Sequence, residues 1–256
     1  VSVTAPRGFR AAGVAAGLKG GGARDVAVVV NDGPSRAAGA VFTAAEDRAA
    51  PVLWSQQVLF GERVRAAVID SGGADTGFQD VHTAAEHTAD LLDDSAAEVV
   101  LCSAGPAGGR TDPGALLRGV TAALAQASRG GGLDAADAIR TTDTVAKIAF
   151  RRGGGYTVGA MAKGPDASLS TALCVLTTDA DVTADQCQRL LAGAVAASLD
   201  PLTATNDTVL LMASGASGTS PHEDDLAALL TEVLAELATQ LRADTPATDH
   251  DRAQNS

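Results

Sequence analysis

Short apolar stretches, each closed off by Gly, Asp or Ser, recur along the chain and constrain its fold more than any other feature. They read DVAVVV (25–30), GAVFTA (39–44), VRAAVID (64–70), AEVVLCS (97–103), YTVGAMA (156–162), TALCVLT (171–177) and DTVLLMA (207–213). Each has the length and boundaries of a strand. Between and after them, helical periodicity is clear over 82–93, 113–128, 183–198 and 223–242. In the second of these segments Asp112 is placed to cap and Pro113 to occupy the first turn. Strands in runs with helices between them imply an α/β class, with sheets covered by helices. The expectation is one domain over 1–242 and a disordered tail over 243–256, where RADTPATDHDRAQNS turns polar and aperiodic.

A chain of 256 residues can bury a large core, and 46% of it is hydrophobic with only 3% aromatic, so Ala, Val and Leu must fill that core. The formal net charge of −12 argues against nucleic acid or an anionic membrane as the main partner. No apolar run is of bilayer length, and no charged-then-apolar leader opens the sequence. The first residue is Val1, as expected of a processed end or a non-standard start. Cys102, Cys174 and Cys187 are odd in number, widely spaced and in or beside apolar segments. They read as buried thiols of a reducing cytoplasm rather than as disulfides or zinc ligands.

Several motifs have plain readings. GLKGGGARD, SRGGGLD and RRGGGYT are glycine-rich but lack phosphate-loop or dinucleotide spacing, and read as turns. His82 and His87 are five residues apart, which turns their side chains about 140° from each other on a helix, so they cannot share a metal ion. Lysine is scarcer than arginine: only Lys19, Lys147 and Lys163 occur. Where arginine supplies the other cations, a retained lysine can mark a point charge of adjustable pKa. Lys163 stands eight residues before Thr171, which follows Ser170 and opens an apolar run. One reading makes Thr171 an ordinary β-branched residue at a strand start. The other makes it a nucleophile that attacks the carbonyl before it, shifts the acyl group to oxygen and is released by water. Its new α-amine, with a pKa near 8, would then serve as base. Spacing alone leaves both open.

The segments VTAPRGFRAAGVAAGLK, VVNDGPSRAAGAVFT, APVLWSQQVL, TTDTVAK, VGAMAKG, LTTDA and TNDTVLLMASGAS occur in order between residues 3 and 217. Together they resemble the bifunctional ornithine acetyltransferase/glutamate N-acetyltransferase family of arginine biosynthesis. The resemblance implies an αββα sandwich of the N-terminal-nucleophile-like kind. It implies a precursor that cuts itself before a threonine, here between Ser170 and Thr171. That threonine then carries an acetyl group from N-acetylornithine to glutamate, with no metal or nucleotide cofactor. Lys163 and Thr142 (or Thr141) match substrate-binding positions, and Ala104 and Gly105 fall where the family builds its oxyanion hole.

The sequence departs from the family pattern in several places. Ala104 replaces a threonine, and losing one oxyanion donor costs on the order of 100- to 1,000-fold in rate. PDASLS is shorter than the usual loop before the nucleophile, DSGGADTGF is contracted where the family has Asn-Ser-Gly-Gly-Ala-Asn and a longer loop, and the usual Asp-Gly is missing from SLDPLTATND. The family's further C-terminal segment, with a substrate-binding Glu, is also expected to be missing. The first expectation is therefore an acyltransferase acting on an N-acyl amino acid and an amino acid acceptor, as a homo-oligomer or with a homologue. The alternative is a repurposed or catalytically impaired member that serves as a binding subunit or takes a different N-acyl amine.

Overall fold

A computed structural model describes residues 1–105, 108–164 and 172–244. The first half contains β1 (Phe9–Val14), β2 (Val26–Asn31), β3 (Ala38–Phe42), α1 (Ala50–Leu59), β4 (Ala66–Asp70), α2 (Phe78–Leu92) and β5 (Val99–Ser103). Then come α3 (Pro113–Gln126), α4 (Gly132–Ala138), β6 (Lys147–Gly153) and β7 (Tyr156–Lys163). The last elements are β8 (Leu173–Thr178), α5 (Ala184–Ser198), β9 (Thr208–Ala213) and α6 (Glu223–Ala243).

Two sheets form, in the orders β1-β2-β4-β5 and β3-β9-β8-β7-β6. Neighbours are antiparallel except β4–β5 and β8–β9, which are parallel. Alternation along the strands of the second sheet sorts its side chains into two cores. Met161, Leu173, Val175, Leu210 and Met212 pack with the first sheet, while Ala162, Cys174, Leu176, Val209 and Leu211 pack under α5 and α6. Ala84 and Ala85 of α2, Leu116 and Val120 of α3 and Ala135 of α4 join the core of the first sheet. The result is helix, sheet, sheet, helix. Each fully buried Val or Leu side chain contributes about 1.5–3 kcal/mol, and small alanines let the layers close without aromatics.

The apolar stretches of the sequence coincide with β2, β3, β4, β5, β7, β8 and β9, and the periodic segments with α2, α3, α5 and α6. Asp112 caps α3 by accepting the N–H groups of Gly114 and Ala115. Two strands have no apolar run to announce them. In β1 an arginine and a glycine interrupt the pattern, and β6 is an edge strand whose Phe150 is exposed. The last helix passes the boundary expected at residue 242 by one residue. α6 runs to Ala243, and the Asp244 carboxylate binds Thr144 and Lys147. The rest of the proposed tail, 245–256, lies outside the described residues.

Candidate active site at the meeting ends of the two sheets

The parallel strand pairs decide where chemistry can gather. β4 and β5 finish side by side at Asp70 and Ser103. In the other sheet β7 finishes at Lys163 opposite Leu173, and Leu173 pairs with Thr208 at the start of β9. These ends face one another. Lys163, only 1% exposed, donates from Nζ to the Ala104 carbonyl at 3.0 Å.

The Ala104–Gly105 segment is held from below. Ala104 N–H donates to the Asp70 carbonyl at 2.7 Å. The Asp70 carboxylate accepts Ser103 Oγ at 2.6 Å and Thr111 Oγ1 at 2.9 Å, together with the main-chain N–H groups of Gly73 and Gly72. Burial pushes its pKa up to about 6 against the pull of those four donors. A Cβ on Gly105 would lie 2.2 Å from Gly73 N, so the two backbones can approach only because no side chain intervenes. Among the described residues no acceptor is recorded for the Gly105 N–H.

Opposite this segment, Asp207 organises the start of β8. Its Oδ1 accepts Ala172 N–H at 2.7 Å, and its Oδ2 accepts Thr203 and Ala204 N–H at 2.8 and 2.9 Å. Burial raises its pKa, while those N–H groups and the Lys163 charge act in the other direction. Asn206 Nδ2 donates to the Ala74 carbonyl at 2.9 Å, which ties this loop to the 72–76 turn of the first sheet. Its Oδ1 is buried with no partner among the described residues. Sequence reasoning did not single out Asp70, Asn206 or Asp207. The signal available was an acidic or amide residue directly at the end of a strand, where its oxygens can collect loop N–H groups.

Gly164 N–H donates to Asp143 Oδ1 at 3.4 Å, which places the 141–144 loop beside the end of β7. Of the two threonines there, Thr142 is exposed, whereas Thr141 Oγ1 is buried without a partner among the described residues. Lys147 is structural: Nζ donates to the Val145 carbonyl at 2.6 Å and to Asp244, with Asp143 at 3.5 Å. Lys19 is structural too, donating to the Ala138 and Arg140 carbonyls at the end of α4. Only Lys163, of the three, faces the candidate site. Ser170 and Thr171 lie outside the described residues, and Ala172 is their nearest described neighbour.

The remaining candidates have the plain roles the sequence suggested. All three cysteines are buried free thiols, each pushed up to about 12 by desolvation. His82 packs edge-on against Trp54, and His87 Nε2 meets Thr121 Oγ1 at 2.8 Å. Among the described residues no cluster of His, Cys, Asp or Glu could hold a metal, and no helix is long and apolar enough to cross a membrane.

Comparison with known proteins decides the family, since the ArgJ family model matches residues 10–251. The chain belongs to the ArgJ family. It is 59% identical to the arginine biosynthesis bifunctional protein ArgJ of Thermobifida fusca, a match over 95% of this chain and 67% of that protein. Against ArgJ of Mycolicibacterium paratuberculosis the identity is 49%, over 94% of this chain and 65% of the relative. This chain thus spans about two thirds of the length of such relatives. Among solved structures it resembles ornithine acetyltransferase complexed with ornithine from Mycobacterium tuberculosis, with 47% identity and a TM-score of 0.60. That likeness covers 64% of this chain and 91% of the solved one. An L-aminopeptidase D-Ala-esterase/amidase from Ochrobactrum anthropi, described as a variant of the Ntn hydrolase fold, matches over 99% of this chain and 92% of that one, with a TM-score of 0.58. At 14% identity it speaks to the fold alone, and it agrees with the αββα architecture.

Proposed function

We propose that this ArgJ-family chain carries the acetyl-transfer site of an arginine-biosynthesis acyltransferase, moving an acetyl group from N-acetylornithine to glutamate. The observation that carries the reading is the convergence of family positions from both sheets. Lys163 Nζ, from the second sheet, sits on the Ala104 carbonyl of the first, while Asp207 holds the residue that follows Thr171.

In this mechanism Thr171 Oγ attacks the Ser170 carbonyl, the acyl group moves from nitrogen to oxygen, and water hydrolyses the ester. The freed α-amine of Thr171 takes the proton from Oγ as that oxygen attacks the acetyl carbonyl of N-acetylornithine. Ornithine leaves after the same amine returns the proton, and a threonyl acetyl ester remains. Glutamate then attacks the ester in the reverse sense. Gly105 N–H is the oxyanion donor, since Ala104 brings no hydroxyl. Lys163 and a threonine of the 141–142 pair orient the substrate. The reaction requires no cofactor. We place the protein in the cytoplasm on its three unpaired thiols, and expect it to self-associate or to pair with a homologue.

The test is the intact mass of the purified protein beside Thr171→Ala, followed by acetyl transfer from N-acetylornithine to labelled glutamate. Wild type should separate into 1–170 and 171–256 and transfer the label, and the variant should do neither. A wild-type chain that stays whole would overturn the threonyl mechanism.

A further inference from the structure

Three Arg–Gly steps distant in sequence are not used by the candidate active site: Arg7–Gly8, Arg129–Gly130 and Arg152–Gly153. Two of them belong to the glycine-rich segments SRGGGLD and RRGGGYT. The fold brings all three arginines to the wall of one cavity of about 510 Å³. β7 begins at Tyr156, which lines this cavity, and ends at Lys163 in the candidate active site. The two places are thus about 23 Å apart along the strand.

Each arginine lies in or next to an anchored stretch of main chain. Arg7 N–H donates to Asp179 Oδ2 at 3.0 Å, and its carbonyl accepts Ser214 Oγ at 2.7 Å. Arg129 follows Ser128, whose N–H and carbonyl both pair with Ala11 at 3.0 Å. Arg152 pairs with Thr157 in the β6–β7 ladder, and its guanidinium lies 5.8 Å from the centre of the Phe150 ring. The connecting turn, Gly154–Gly155, has positive φ at both residues and carries no side chain to screen the cavity.

Charge sharpens the case. Acidic residues outnumber basic ones 31 to 19, and Arg10, Arg24, Arg36, Arg65 and Arg189 each find a carboxylate. Arg7, Arg129 and Arg152 form no ion pair among the described residues. Asp179, the acid that lines the cavity, already has both oxygens engaged by the N–H groups of Arg7 and Thr157. Arginine residues brought to one cavity wall from three parts of the chain supply donors that match the oxygens of phosphate and of carboxylate alike.

We propose that this cavity is a binding site for a small multivalent oxyanion, separate from the acyl-transfer site. A nucleic acid does not suit it, because the surrounding protein is strongly acidic. The experiment is calorimetric titration of the full chain with inorganic phosphate and, separately, with citrate, against sodium chloride of equal ionic strength. Binding is read directly, so the outcome does not depend on whether the acyl transfer occurs. One or both anions should bind with a stoichiometry of one. Arg129→Gln and Arg152→Gln should each weaken binding about tenfold, while Arg118→Gln, an exposed change on α3, should leave it unchanged. Phosphate alone would identify a phosphorylated ligand, and citrate alone a polycarboxylate; either supports the site. No binding beyond the chloride control, or equal weakening by Arg118→Gln, would overturn it.

Discussion

Asp70 should make the protein lose stability as pH rises through the weakly acidic range, and Asp70→Asn should remove that loss. Burial raises the folded-state pKa from 3.8 to about 6. A tenfold change in proton affinity is about 1.4 kcal/mol, so ionising Asp70 in the folded protein costs about 3 kcal/mol more than in the unfolded chain. Because the folded value is the raised one, the benefit is complete below the unfolded pKa and gone once pH passes the folded pKa. About 2.5 kcal/mol of the change falls between pH 4 and pH 7. An asparagine keeps one acceptor oxygen, and the hydroxyls of Ser103 and Thr111 can rotate to suit its amide. The N–H groups of Gly72 and Gly73 cannot, and that mismatch costs roughly 1–2 kcal/mol at every pH. The variant should therefore be the less stable protein at pH 4 and the more stable one at pH 7.5. Urea unfolding of both proteins at half-unit steps between those limits would give the two curves, which must cross. A difference that stays constant from pH 4 to pH 7 would show that the folded protein does not resist ionisation of Asp70.

Two further substitutions probe the same site. Asp207→Asn leaves Ala172 N–H or the Thr203 and Ala204 N–H groups facing an amide NH2. We expect a loss of about 2 kcal/mol in urea unfolding and slower chain separation by mass spectrometry, and an unchanged cleavage rate would rule out Asp207 as the anchor of the Thr171 segment. Gly105→Ala places a Cβ 2.2 Å from Gly73 N, so the backbone must shift at a cost of about 1–3 kcal/mol. Acetyl transfer should fall on the order of 100-fold with the displaced donor, and full activity would remove Gly105 from the mechanism.

The fold was largely legible because buried strands announce themselves. β2, β8 and β9 are buried on both faces and read as unbroken apolar runs. β6 did not, because one face of this edge strand carries the exposed Phe150 and Arg152. At the candidate site, Lys163 was legible from its scarcity and its place in a family motif. Asp207 was hidden for a physical reason. Its work is to accept three main-chain N–H groups, and main-chain donors leave no trace in side-chain identity. Asp70 was not singled out, because its burial and its four donors depend on contacts across two loops. The burial of Thr141 beside an exposed Thr142 was not legible either, since adjacent residues with the same side chain differ only in where the loop turns them.

The pairing of β3 with β9 has a consequence in time. Ala38 pairs with Met212, and Asn31 Nδ2 donates to the Ala213 carbonyl, so the second sheet is closed by one of its latest strands in sequence. Contacts of such long range form late in folding. Ala172 receives its anchor from Asp207, the residue just before that closing strand. A nascent chain that has not yet emerged past residue 207 lacks that anchor. Any self-cutting at residue 171 that depends on it is thereby deferred until the polypeptide needed to hold the two pieces together has been made.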